Sequence, residues 1–336
     1  VEPALVTEIR AVLIPQNPAV LKETAIKNFW NLGGETVTEE NGALLWSGGR
    51  LAGKNILDWS ENSRTLLTSD LKTGTYFLEP LAPGAPSDVT APVKRLFEAF
   101  PKEKFTFSMD ADSPSLLVAS SPRALFLLDV ERGIRTPIQT LQSGTLGPVV
   151  LSRSILAWTR FDETENVSFL VLYNRLLGRE NPNYPAVPGK TKRLFWARGG
   201  TLTILQDDGE FYLYDVERDN VAKIASDVRD FFFTGDGSRV ATLEHESLEV
   251  FSFDGDKKYW RFNVSGVENI EKLSWYRDRE HLFVGYPDKV LFLDLADASQ
   301  ENIGVVAEAG RWEYDEASNR FYFLKDGKLQ GLNFPS

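Results

Sequence analysis

An all-β fold, a β-propeller of four-stranded antiparallel blades, is what this 336-residue sequence predicts. One recurring grammar and two periodic markers carry the prediction. The grammar is a strand ending in a large aromatic, a polar turn, then an alternating strand, the pattern of a hairpin. FFFTGDGSRVATLE from Phe231 spells it out. ILDWSENSRTLLTSD from Ile56, FTFSMDADSPSLLVAS from Phe105, LSWYRDREHLFVGY from Leu273 and RWEYDEASNRFYFLK from Arg311 repeat it. The first marker is the residue before the turn: Trp59, Phe107, Leu151, Trp196, Phe233, Trp275 and Tyr314. The second is the polar residue closing the third strand: Glu79, Asp129, Asn174, Asp215, Asp254, Asp294 and Asn333. Both step by roughly 40 residues, the period of a propeller blade.

In chain order, 5–14 (LVTEIRAVLI) reads as a strand that completes the last blade, which otherwise has three strands. Residues 25–54 hold four short strand-like runs, a compact first blade, and 55–336 hold seven further repeats. The whole, 1–336, is one domain with eight blades; seven is the alternative count. Two stretches interrupt the pattern: the proline-rich 79–92, joining strands across a blade, and 176–190, the longest insertion. A four-stranded sheet cannot bury both faces alone, so blades must stack, and the aromatic series is expected to be the core between them.

Hydrophobic residues make up 42% of the chain, enough for a large core. Lysine and arginine total 37 against 48 acidic residues, a net charge of -11 with no dense basic stripe, which excludes nucleic acid as an expected partner. With no cysteine, disulfides and thiolate metal sites are excluded. The longest apolar runs, such as 124–130, fall far short of the roughly 20 residues that span a bilayer, so this segment is not expected to insert into a membrane. The chain starts at Val1 rather than Met, and an anchor or address signal is expected ahead of it.

The only histidines, His245 and His281, fall in equivalent regions of successive repeats and belong to no catalytic motif. Asp110, Asp112, Asp236, Asp278 and Asp315 sit at blade turns. Glycosidases use carboxylate pairs about 5 to 10 Å apart, but turns favour Asp because its side chain bonds the local backbone, and that covers the whole series. Asp110-Ala-Asp-Ser113, 234–238 and 254–257 lack the full spacing of a calcium loop, and no glycine-rich phosphate loop is present. No cofactor and no metal ligand are expected. For binding, the candidates are Asp162 and Glu163 in the polar 162–166 turn, and Asn181, Asn183 and Tyr184 in the long insertion, with Tyr184 as the anchor. These two groups flank the third strand of one repeat and are expected at its opposite ends.

The hairpins resemble WD40-like and TolB-like propellers, in which a Ser-Pro-Asp-Gly turn follows the first strand and Asp closes the third. Thr234-Gly-Asp-Gly-Ser238 and Ser60-Glu-Asn-Ser63 match the turn loosely, and Asp129, Asp215 and Asp294 match the closing residue. The Gly-His pair and Trp-Asp dipeptide of strict WD40 repeats are missing, so their buried relay is not carried over. Residues 1–15 (VEPALVTEIRAVLIP) resemble the junction after a PEGA domain in membrane-anchored proteins of small-genome bacteria. That resemblance implies a transmembrane helix and a PEGA module ahead of Val1, with the propeller outside the cytoplasmic membrane. The expected function is a non-catalytic binding or scaffolding module on a bacterial envelope, recognising protein or glycan. The alternatives are a carboxylate-dependent polysaccharide lyase or glycoside hydrolase, and a cytosolic WD40-type assembly platform.

Overall fold

A computed structural model describes residues 14–334 apart from 16, 33, 61–62, 71, 111–112, 142–143, 153, 198–199, 254–258, 263, 265 and 296–302. The chain is all-β apart from one short α-helix and a 3-10 turn among the described residues, with its strands in eight antiparallel sheets, an eight-bladed β-propeller. Blades 1 to 6, at 28–52, 54–88, 106–140, 145–188, 191–225 and 230–262, fall in one compact unit, 27–268. Blade 7, at 272–307, and blade 8, at 312–333 with 19–22, fall in the other.

Blade 8 is completed by an amino-terminal strand, as the sequence predicts, but the segment is Ala19–Lys22. It pairs with Lys328–Asn333 in the register Ala19↔Gly331 and Val20↔Gln330. The expected strand at 5–14 lies outside the described residues except for Ile14, which packs against the core of blades 7 and 8.

The second strand of each blade explains why the sheets stack. In most blades its central residues are buried on both faces, and His281–Gly285 is buried at every position; blade 1, with Glu35–Glu40, is the exception, buried only at Val37 and Thr38. Neighbouring residues serve neighbouring blades. Leu66 joins the core between blades 1 and 2, while Leu67 joins that between blades 2 and 3. Leu156 faces blade 3 with Trp158, and Ala157 faces blade 5 with Leu202 and Tyr214. The pre-turn series takes the same role: Trp59, Phe107, Leu151, Trp196, Phe233 and Tyr314 each pack partly buried against one of these cores.

The helix was not foreseen. The fourth strand of blade 2 is only Ser87–Asp88, and Thr90–Ala99 then forms α1. Its apolar residues Val93, Leu96, Phe97 and Phe100 recur at helical spacing. Val93 and Leu96 are buried, and Phe97 stacks on Tyr76 of blade 2 at 6.3 Å while Phe100 meets Phe126 of blade 3 at 5.0 Å.

Candidate functional site

The carboxylates that open the question of catalysis are held by their own turns. Asp236 Oδ1 accepts from the Ser238 N–H (3.1 Å) and from the hydroxyls of Thr234 and Ser238. Asp315 accepts from the Ala317 N–H and the Ser318 hydroxyl. Asp129, Asp162 and Asp215, and Asn174 in the same role, accept backbone N–H groups two or three residues on. Asp110 does so with Ser113, and also reaches Arg175 of blade 4 at 2.5 Å, a largely buried ion pair between two blades. Asp112 and Asp254 lie outside the described residues.

His281 is buried and His245 exposed. His281 Nδ1 sits 2.7 Å from Asp278 Oδ2, its Nε2 3.7 Å from Asp294 Oδ2, and its ring stacks on Phe292 at 4.8 Å. Burial acts to raise the Asp278 carboxyl, but the hydrogen bonds from His281 and from the Glu280 and His281 N–H groups outweigh it and hold the group below its ordinary value. The arrangement fastens the 278–281 turn to the third strand of blade 7.

The long insertion is an edge strand in two pieces. Arg179–Glu180 pairs with Tyr173 and Asn174, and Ala186–Pro188 pairs with Val167 to Phe169, so both lie along the same third strand of blade 4. Between them 181–185 arches out while the Asn181 N–H still donates to the Leu172 carbonyl (2.7 Å). Asn183 Nδ2 donates to Asp219 Oδ2 (2.7 Å) in blade 5, and the Tyr184 hydroxyl donates to Glu180 Oε2 (2.8 Å), which raises the Tyr184 pKa. Tyr184 is 40% exposed.

Expecting the insertion and the 162–166 turn at opposite ends of the strand needs correction. The insertion leaves at Asn174 but runs back the full length, and the Gly189 N–H donates to the Asn166 carbonyl (2.8 Å). The physical reason is that the third strand otherwise presents a row of unpaired backbone groups, which the insertion covers. Asp162 and Glu163, with Arg160 and Thr164, line one side of a cavity of about 490 Å³ whose other wall includes Thr140 and Leu141. Arg160 also stands over the Phe169 ring and is close enough to Tyr184 to act on it electrostatically, which connects the two sequence-predicted groups on one sheet.

A second constellation went unnoticed in the sequence. Blades 5 and 6 enclose a cavity of about 440 Å³, walled by Leu213, Ala222 and Ile224 on one side and Phe233, Phe251 and Phe253 on the other. Tyr259 lines it, and its hydroxyl donates to Glu249 Oε1 at 2.5 Å. Burial, then the hydrogen bond and charge of Glu249, push Glu244 up to about 7. The available signal was strand alternation: 240, 242 and 244 share a face, and the tight 244–247 link folds Glu249 back onto it opposite Thr242. Among the described residues no three His, Asp or Glu side chains gather as a metal ion requires.

The raised Glu244 gives a testable pH dependence. Between its ordinary value of 4.5 and about 7 the folded chain holds a proton that the unfolded chain has lost, so stability falls as pH rises through that window and levels off above it. Discounted for partial exposure, the loss is about 1 kcal/mol. Urea unfolding of Glu244→Gln at pH 5 and pH 8 is expected to show that much less difference between the two than the parent chain; parallel behaviour would refute the proton assignment.

The fold has counterparts among solved structures. An oligogalacturonate lyase in complex with manganese superposes over 96% of this chain and 97% of its own, with a TM-score of 0.57 at 11% identity. Hsv2 from Kluyvelomyces marxianus covers 74% of both chains, with a TM-score of 0.50 at 12% identity. At such identities the likeness shows the propeller fold and nothing of function. No family model matches the sequence, and no curated protein matches it.

Proposed function

We propose that the chain is a non-catalytic binding and scaffolding module, displayed on a bacterial cell envelope, that recognises a protein or glycan through the built-out edge of blade 4. The observation that carries this reading is the insertion itself. Its arch is fixed at both feet by strand pairing, and Asn183 and Tyr184 are held in place by Asp219 and Glu180. A rigid aromatic anchor beside oriented polar groups loses little conformational entropy on binding. Function grafted onto a stable scaffold through an insertion is a common use of such folds.

A glycan array probed with the purified chain tests the reading, alongside crosslinking to intact envelope preparations. Asn183→Ala with Tyr184→Ala is expected to weaken the captured ligand at least ~10-fold, the scale of losing an interface anchor, while the unfolding midpoint stays put. Binding unchanged in this variant sinks the assignment of the surface. Envelope display is tested separately: external protease is expected to cut the full-length protein on intact cells, and protection would favour the cytosolic platform.

The alternative of a carboxylate-dependent lyase is supported by the Glu244–Glu249 pair, since a carboxyl pushed up to about 7 suits proton transfer at neutral pH. The binding reading expects no unsaturated product when the chain is incubated with oligogalacturonate and manganese, the pair named for the structurally similar lyase. Turnover lost on Glu244→Gln would establish the lyase instead.

A further inference from the structure

The turns that join third to fourth strands in blades 3, 4 and 5 are built alike and differ at their tips. Each opens on a side-chain oxygen, of Asp129, Asn174 or Asp215, that accepts backbone N–H groups two or three residues on. Each then reaches a left-handed residue: Gly133 (φ 66°), Gly178 (φ 63°) or Asp219 (φ 49°). At the two tip positions blades 3 and 5 carry Glu131-Arg132 and Glu217-Arg218, which suit a solvated turn. Blade 4 carries Leu176-Leu177, 84% and 61% exposed. The sister turns show that the fold itself needs no apolar residue there, so the pair is an exposed apolar feature that calls for a partner. Its base is stiff, because Arg175 is held by Asp110 of blade 3.

In an antiparallel blade the turn from first to second strand and the turn from third to fourth lie at one end. The cavity of about 440 Å³ between blades 5 and 6 is at that same end. Its lining includes Asp215 and Arg218 of the blade 5 turn, Thr201 at the start of that blade's second strand, and Gly237 of the first turn of blade 6. The walls are apolar, with Ile224, Phe233 and Phe251 among them, and Ala222, Asn220 and Tyr259 are exposed at its mouth. Asp215 and Arg218 pair at 3.6 Å, so the rim adds no net charge. Leu176 and Leu177 do not fill this cavity in their own chain, because strand pairing on both sides of their turn fixes it to blade 4.

We propose that two copies of the chain associate end to end, the Leu176-Leu177 tip of each entering the cavity between blades 5 and 6 of the other. A knob and a hole on one end of the same chain are self-complementary: when two such ends face each other about a two-fold axis, both contacts form at once and the assembly closes as a dimer. A small apolar ligand in the cavity would leave the leucines in water, whereas a second copy removes both apolar surfaces from it. The contact uses neither Asn183 nor Tyr184 and stands independently of the blade 4 ligand surface.

Sedimentation of the whole chain tests the proposal, with a dimer expected at ~100 μM that dissociates on dilution, as a small apolar interface should. Each copy carries a net charge of -11, so added salt is expected to strengthen the dimer by screening repulsion. Leu176→Glu with Leu177→Arg, which installs the tip of the sister turns, is expected to raise the dimer Kd at least ~10-fold. Ala222→Trp, which fills the cavity from an exposed position, should do the same while circular dichroism shows the fold intact. The chain has no cysteine, so Arg179→Cys beside the tip and Asn220→Cys at the cavity mouth each carry one thiol and leave the apolar groups in place. A short bismaleimide is expected to give several-fold more covalent dimer from their mixture than from either alone. The proposal is overturned if the parent is monomeric at this concentration, if salt weakens association, if either folded variant dimerises like the parent, or if the mixture cross-links no better than its components.

Discussion

Phe283→Ala is expected to destabilise the chain by about 4 kcal/mol, measured by urea unfolding, the cost of deleting a fully buried aromatic and leaving a cavity. Phe283 has no exposed surface and is the hub of the core of blades 7 and 8. Its ring lies 4.8 Å from Tyr314, 5.0 Å from Phe292, 5.1 Å from Phe321 and 5.3 Å from Phe334, with Trp312 at 6.1 Å. These residues come from both blades and from Phe334, just past the last strand, so no single rotamer change can refill the space. Phe283→Leu keeps much of the volume and is expected to cost less than half as much. If alanine and leucine behave alike, the packing account is wrong.

Arg175→Ala is expected to cost about 3 kcal/mol in the same assay, because it leaves the Asp110 carboxylate buried without its cation. Side-chain exposures of 13% for Arg175 and 7% for Asp110 set this pair apart from the surface ion pairs of the chain, such as Lys325 with Glu308. Neutralising both ends, as Asp110→Asn with Arg175→Met, is expected to recover most of the loss, since the penalty comes from the stranded charge and less from the missing bond. A loss under about 1 kcal/mol for Arg175→Ala would place the pair among solvated ones.

The turn role of Asp110 and its ion pair with Arg175 differ in how far the sequence announces them. Asp110 is legible as a turn residue, and the turn is there, with the Ser113 N–H on its carboxylate. Its more consequential partner is 65 positions away. The same contrast holds at the candidate sites. Asn181, Asn183 and Tyr184 stand out because they interrupt a regular repeat, but the interruption looked like a loop at one strand end. That it doubles back as a split edge strand depends on the open edge of Val167–Asn174. Helix α1 was missed for a local reason: 79–92 is rich in proline, and that signal of a connector hid the helical spacing of the apolar residues after it.

The acidic row of blade 6 shows where local reading stops. Alternation alone puts Thr242, Glu244 and Glu249 on one face, yet only burial and the approach of Glu249 move a proton onto Glu244.

By itself, the sequence determined the blades, because hairpins and strand alternation are short-range: a turn and its flanking residues specify a sheet within about 40 positions. It also determined that the amino terminus joins the last blade, since three strands there leave an edge to fill. Tertiary structure alone decided that Ala19–Lys22 pairs there, which acids are paired or stranded, and where a cavity remains between blades. Those outcomes depend on distances between segments far apart in the chain and on the dielectric around each charge, and neither quantity exists until the sheets have packed.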